Sequence, residues 1–144
     1  MDTSPKISVM VIENDDDFRS LLCGIFDRSE KFVLVNSFSS VDDFAFALRQ
    51  QNTPQSWLPQ LLVADIMSGK DPRIECTGLI LALRNEGLNF ATLFITSMNF
   101  GSLIRILQKS HPKGWAILQK NSKLTESAIL ETAVLASSEM SEVR

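Results

Sequence analysis

The chain has 144 residues, 44% of them apolar and 22% charged, which suits one ordinary globular domain burying roughly 68–70% of its unfolded surface. Its 14 Lys and Arg against 17 Asp and Glu give a net charge of -3. That balance excludes the concentrated positive surface that a phosphate backbone requires. Cys23 and Cys76 fit no zinc or redox spacing and read as thiols in a reducing compartment. "MDTSPK" is polar and leads into a short apolar run, which makes neither a signal-peptide core nor a membrane span. A cytoplasmic location is therefore expected, with no membrane and no direct nucleic-acid partner for this segment.

In chain order, short β-rich runs alternate with helical patterns. The first run, Ile7–Ile12, leads into the acidic stretch "ENDDD". Phe18, Leu21, Leu22, Ile25 and Phe26 then fall at helical spacing and predict a first helix with those residues inward. Asp16 and Asp17 suit its first turn, where the macrodipole favours negative charge. Asp15 also suits the start of that helix better than a site. A second run, Phe32–Val35, precedes a helix capped by Ser40 with Asp43, whose inner face is Val41, Phe44, Ala45 and Leu48. A third run, Leu61–Ala64, is followed by a helix from about Gly78 to Arg84 with Gly87 as its stop. A fourth, Thr92–Ile95, precedes a helix near Ser102–Lys109, ended by Pro112. The fifth, Ala116–Leu118, precedes a helix over about Leu124–Ser137.

The apolar runs are mostly continuous, as in strands buried on both faces of a parallel sheet. Five strands alternating with five helices predict a doubly wound α/β domain over residues 1–137. Residues 138–144 have no apolar periodicity and read as a flexible tail or the start of a linker.

Ligands of such sheets bind beyond the carboxyl ends of the strands. Those ends carry Glu13, Asn14 and Asp15, then Asp65, then Thr96 and Ser97, then Lys120. The combination suits phosphoryl transfer onto a carboxylate. Magnesium takes one or two carboxylates plus waters and phosphate oxygens. An aspartate can hold an acyl phosphate, while an ammonium and a hydroxyl stabilise the transferred group. His111, beside Pro112, reads as a loop residue rather than a catalytic base or phosphodonor.

The segments "VMVIENDDDFRSLL", "LLVADIM", "LFITS" and "GWAILQKNS" resemble, in order, the receiver domains of two-component response regulators. "IENDDDFRSLL" is most similar to the "VDDHPLFREGL" opening of the NarL-type subfamily, whose receivers usually precede a DNA-binding domain. The resemblance implies a flavodoxin-like sheet of order 2-1-3-4-5 and a non-enzymatic signalling role. It makes Asp65 the phosphoacceptor for a histidine kinase, with Thr96 and Lys120 contacting the phosphoryl group. Magnesium would be held by Glu13, Asn14, Asp65 and the backbone carbonyl of Met67. Output would pass through partner contact or a homodimer, by a population shift.

Three departures accompany the resemblance. The family's two metal-binding aspartates are here Glu13 and Asn14, which predicts weakened magnesium binding. The family's aromatic switch position is Ile117, with Trp115 two residues earlier on the same strand face. The stretch "SGKDPRIECTG" lengthens the connection after Asp65 and predicts a reshaped loop over the site. Asn14 and Ile117 favour an alternative role, a pseudo-receiver that binds partners without phosphorylation. Two other functions found on similar sheets fit poorly. A haloacid-dehalogenase-type phosphatase needs a second aspartate where Met67 stands, and a flavodoxin needs a Ser/Thr-rich phosphate loop where this chain has carboxylates.

Overall fold

The computed structural model describes residues 5–65, 76–97, 114–121, 123–138 and 142–143. Strand β1 (Ile7–Ile12) pairs with β2 (Phe32–Phe38) on one side and β3 (Leu61–Ala64) on the other. Beyond β3 lie β4 (Ala91–Thr96), β5 (Trp115–Gln119) and a two-residue β6 (Glu142–Val143), every pair parallel. The sheet order is β2-β1-β3-β4-β5-β6. The expected order of the first five strands is therefore present, and a sixth strand extends it. That strand falls in a stretch whose sequence carries no periodicity, since two residues add ladder bonds without needing an apolar pattern.

Alternation along the strands divides the core in two. Met10, Ile12, Leu62, Ala64, Phe94, Trp115 and Ile117 face α2 (Val41–Arg49) and α4 (Cys76–Asn85), meeting Val41, Phe44, Leu48, Ile80 and Leu83. Val9, Val11, Leu61, Val63, Leu93, Ile95, Ala116 and Leu118 face α1 (Asp16–Arg28) and α5 (Glu126–Ser137), meeting Leu22, Ile25, Phe26, Ile129, Ala133 and Ala136. Burial on both faces is why the strands read as unbroken apolar runs.

The helix ends follow local chemistry. Asp15 caps α1, its carboxylate accepting from the N–H groups of Asp17 and Phe18 at 3.0 and 3.1 Å. Ser40 caps α2 through the Asp43 N–H at 3.1 Å, while the Asp43 carboxylate takes the Ser39 hydroxyl instead of reaching back to the cap. Gly87 ends α4 at φ +90, its N–H bonding to the Arg84 carbonyl and that of Leu88 to the Leu83 carbonyl. This is a Schellman motif, which needs a left-handed residue at that point. Thr125 caps α5 through the Ala128 N–H, so that helix begins two residues later than periodicity alone predicts.

Three further differences from the sequence reading have physical causes. β2 runs on through Asn36 and Ser37 to Phe38, because a bulge opposite Val9–Met10 accommodates Val35 and one-sided pairing tolerates polar residues. Leu21 lies outside the core, 55% exposed, because the buried stripe of α1 runs through Leu22, Ile25 and Phe26 and leaves it at the margin. A single turn of helix, α3 (Pro54–Trp57), was not foreseen. Pro54 sits in its first turn, and the Gln55 amide forms two bonds with the Asn89 backbone, at 2.7 and 2.8 Å. The helix expected near Ser102–Lys109, His111, Met67 and most of the long connection after Asp65 lie outside the described residues. Among those residues, no helix is long and apolar enough to cross a membrane.

Candidate functional site

The ladder itself aligns the candidate residues. The Glu13 N–H bonds to the Phe38 carbonyl at 3.0 Å, Asp65 N–H to Ile12 at 3.3 Å, and Lys120 N–H to Thr96 at 2.7 Å. Each residue thus continues its strand's pairing one step past the regular sheet, so its side chain leaves from the carboxyl edge. Thr96 is the last residue of β4 and is fully buried, paired in register with Gln119. Asp65 is half-buried at the end of β3.

Glu13 and Lys120 stand three strand spacings apart, roughly 14 Å. Their side chains nevertheless meet, Lys120 Nζ lying 3.2 Å from Glu13 Oε1. The Glu13 side chain is only 3% accessible and that of Lys120 27%. Burial pushes the Glu13 carboxyl above its ordinary value, and the neighbouring Asp65 charge pushes the same way. Lys120, through its charge and its hydrogen bond, pulls it back down, as does the Asp15 N–H, and the net direction is upward. The Asp65 charge thus acts on Glu13 from the end of the neighbouring strand.

The loop that presents Glu13 is clamped by Arg19. Its guanidinium donates to the Glu13 carbonyl at 2.8 Å and to the Asp16 carboxylate at 2.6 Å. Asn14 is exposed, and the Asp15 side chain is committed to the helix cap. The acidic run therefore divides in the structure: Glu13 is buried against Lys120, Asn14 is exposed, and Asp15, Asp16 and Asp17 stand at the helix start. Lys120 has a second partner that sequence reasoning missed. Its Nζ lies 4.0 Å from the centroid of the Phe18 ring. In sequence Phe18 signals only the first position of an apolar stripe, and nothing in that pattern points to a lysine more than a hundred residues away.

Ile117 is fully buried and lies on the same strand face as Trp115, in the core cluster that also contains Phe94. An aliphatic side chain enclosed in this way cannot act as an aromatic that turns between core and solvent. Among the described residues, no group of three or more His, Cys, Asp or Glu side chains could hold a metal ion. Two carboxylates, Glu13 and Asp65, stand at the ends of neighbouring strands, and one or two carboxylates are what magnesium would take from a protein, with waters and phosphate oxygens completing its shell. The donor set thus fits the minimum for that ion, without the extra charge an acidic residue at 14 would bring.

No family model matches the sequence, and no curated protein matches it. Solved structures do match in fold. The signal receiver domain of NarL from Mycobacterium tuberculosis is 18% identical, with 94% of this chain and 98% of that one covered at a TM-score of 0.72. The isolated receiver domain of RcsB from Salmonella enterica serovar Typhimurium, solved with the phosphomimetic BeF3-, is 9% identical over 97% of this chain and 94% of that one, at 0.74. ChrA, the response regulator of a heme-sensing two-component system, is 21% identical at 0.64, and this chain spans 58% of its length. A parallel sheet with β1, β3, β4 and β5 presenting Glu13, Asp65, Thr96 and Lys120 at one edge has the fold of the response-regulator receiver domain.

Proposed function

We propose that the chain is a response-regulator receiver domain that takes a phosphoryl group on Asp65 from a histidine kinase and passes its state on by partner contact or homodimerisation. The observation that carries this reading is the gathering of Asp65, Thr96 and Lys120 at one sheet edge, with Glu13 holding the ammonium. An Asp65 carboxylate oxygen attacks phosphorus, the phosphorus–nitrogen bond to the kinase histidine breaks, and the electron pair returns to the imidazole. The added charge then recruits the Lys120 ammonium and the Thr96 hydroxyl. Glu13, Asp65 and the Met67 carbonyl are the groups that would hold magnesium, with Asn14 able to add a neutral amide oxygen. When bound, the ion would neutralise charge on the incoming phosphoryl oxygens. In this reading the protein is a cytoplasmic signalling module rather than an enzyme. Any DNA-binding output would belong to a separate domain.

The test is intact mass after incubation with acetyl phosphate and magnesium, beside Asp65→Ala. One phosphoryl adduct, lost in the variant, is the expected result. A second reading, the pseudo-receiver, draws on a specific observation: Glu13 is already paired with Lys120 while Asn14 is neutral and exposed. Absence of any adduct even at high magnesium decides for that reading.

A further inference from the structure

The Lys120 ammonium is held from two sides. The Glu13 carboxylate lies 3.2 Å away and the Phe18 ring centroid 4.0 Å away. The other cation–ring contact in the described residues, Arg84 over Phe90, is 5.8 Å long and far weaker in electrostatic terms. An ammonium close above a ring face is attracted by the ring quadrupole, and the attraction grows as water is excluded. Here the lysine side chain is about three-quarters covered and its carboxylate partner almost wholly so.

Both holding groups are tied into one hydrogen-bonded turn. Asp15 caps the turn that carries Phe18, and Arg19 ties that turn to the Glu13 carbonyl. Phe18 is only half-buried and packs at the margin of the α1 core cluster, so its ring face is available to the lysine. The ammonium lies on one carboxylate oxygen, Oε1, of the residue proposed to hold a divalent cation.

We infer that Phe18 is a positioning residue that parks Lys120 on Glu13, making the lysine a built-in counter-cation which magnesium must displace. The inference rests on the assignment of Glu13 as a metal-binding residue under the proposed function. It adds a reason for weak metal binding that is separate from Asn14. A divalent ion held by Glu13 would repel the ammonium, so that Lys120 would leave both the carboxylate and the ring. The ring contact is lost in that exchange, so the ring opposes it.

The experiment follows Lys120 Hε resonances and magnesium affinity by NMR, without any phosphodonor. In the metal-free protein, the Lys120 Hε protons are expected to be shifted upfield by the Phe18 ring current and to move downfield as magnesium saturates the site. Phe18→Leu should abolish the upfield shift and tighten magnesium binding about five-fold, the fold-change corresponding to one cation–π contact. Phe18→Trp, which keeps an aromatic face of greater strength, should preserve the shift and weaken binding. Lys120 resonances that ignore magnesium overturn the inference, as does unchanged or weaker binding by Phe18→Leu or tighter binding by Phe18→Trp. A phosphoryl adduct on Asp65 is read separately by mass, so failure of this inference is distinguishable from failure of the proposed function.

Discussion

Asn14→Asp adds a negative charge beside the proposed magnesium site. Asn14 directly follows buried Glu13 but is itself exposed, so a carboxylate there would act on a bound cation largely through water. Two unit charges 4 Å apart in water interact by about 1 kcal/mol, and a divalent ion doubles that to about 2 kcal/mol. Screening at physiological salt removes part of the gain. The net expectation is roughly ten- to thirty-fold tighter magnesium binding, by the usual 1.4 kcal/mol per decade. Isothermal titration of magnesium into the wild type and Asn14→Asp, at low and high salt, measures the difference. The gain should shrink as salt rises. Equal affinities at low salt would refute the reasoning, because they would mean that residue 14 stands outside the ion's field.

Two further outcomes concern stability. Because burial and Asp65 raise the Glu13 pKa, the native state binds that proton more tightly than the unfolded chain does, whose ordinary value is 4.5. Stability of the wild type relative to Glu13→Gln should therefore fall as pH climbs above 4.5 through the raised native value, then level off. Urea unfolding of both proteins in EDTA across that window checks it, and a difference that is flat or rises with pH contradicts the assigned cause. Asp15→Ala removes acceptors for two backbone N–H groups and should cost about 1 kcal/mol, read as a lower urea midpoint. Asp15→Asn, which keeps a capping oxygen, should restore most of it.

Much of the fold was legible because its signals are local. Continuous apolar runs, the Ser40 cap and the Gly87 stop each reflect a single neighbourhood of the chain, and each has its expected place in the structure. What escaped depended on distant partners. β2 continues through Asn36 and Ser37 because β1 offers ladder partners as far as Phe38, which no propensity of polar residues would indicate. The α3 turn rests on Gln55 reaching Asn89, 34 residues on, and β6 rests on the open edge of β5. Leu21 has the spacing of a core residue, but the helix's rotation against the sheet leaves it exposed.

At the site, the sequence by itself determined which chemical groups stand at the strand ends: carboxylates at 13 and 65, a hydroxyl at 96 and an ammonium at 120. It also separated the helix-starting aspartates from the site residues, since capping depends on spacing within one turn. Only the tertiary structure decided who holds whom. Strand crossovers put β1 and β5 on opposite sides of β3 and β4, and two long side chains close that gap so that Lys120 meets Glu13. The packing of α1 then sets the Phe18 ring against the same ammonium. Charge pairing and ring contacts act over a few ångströms through space, and distance along the chain carries no record of them.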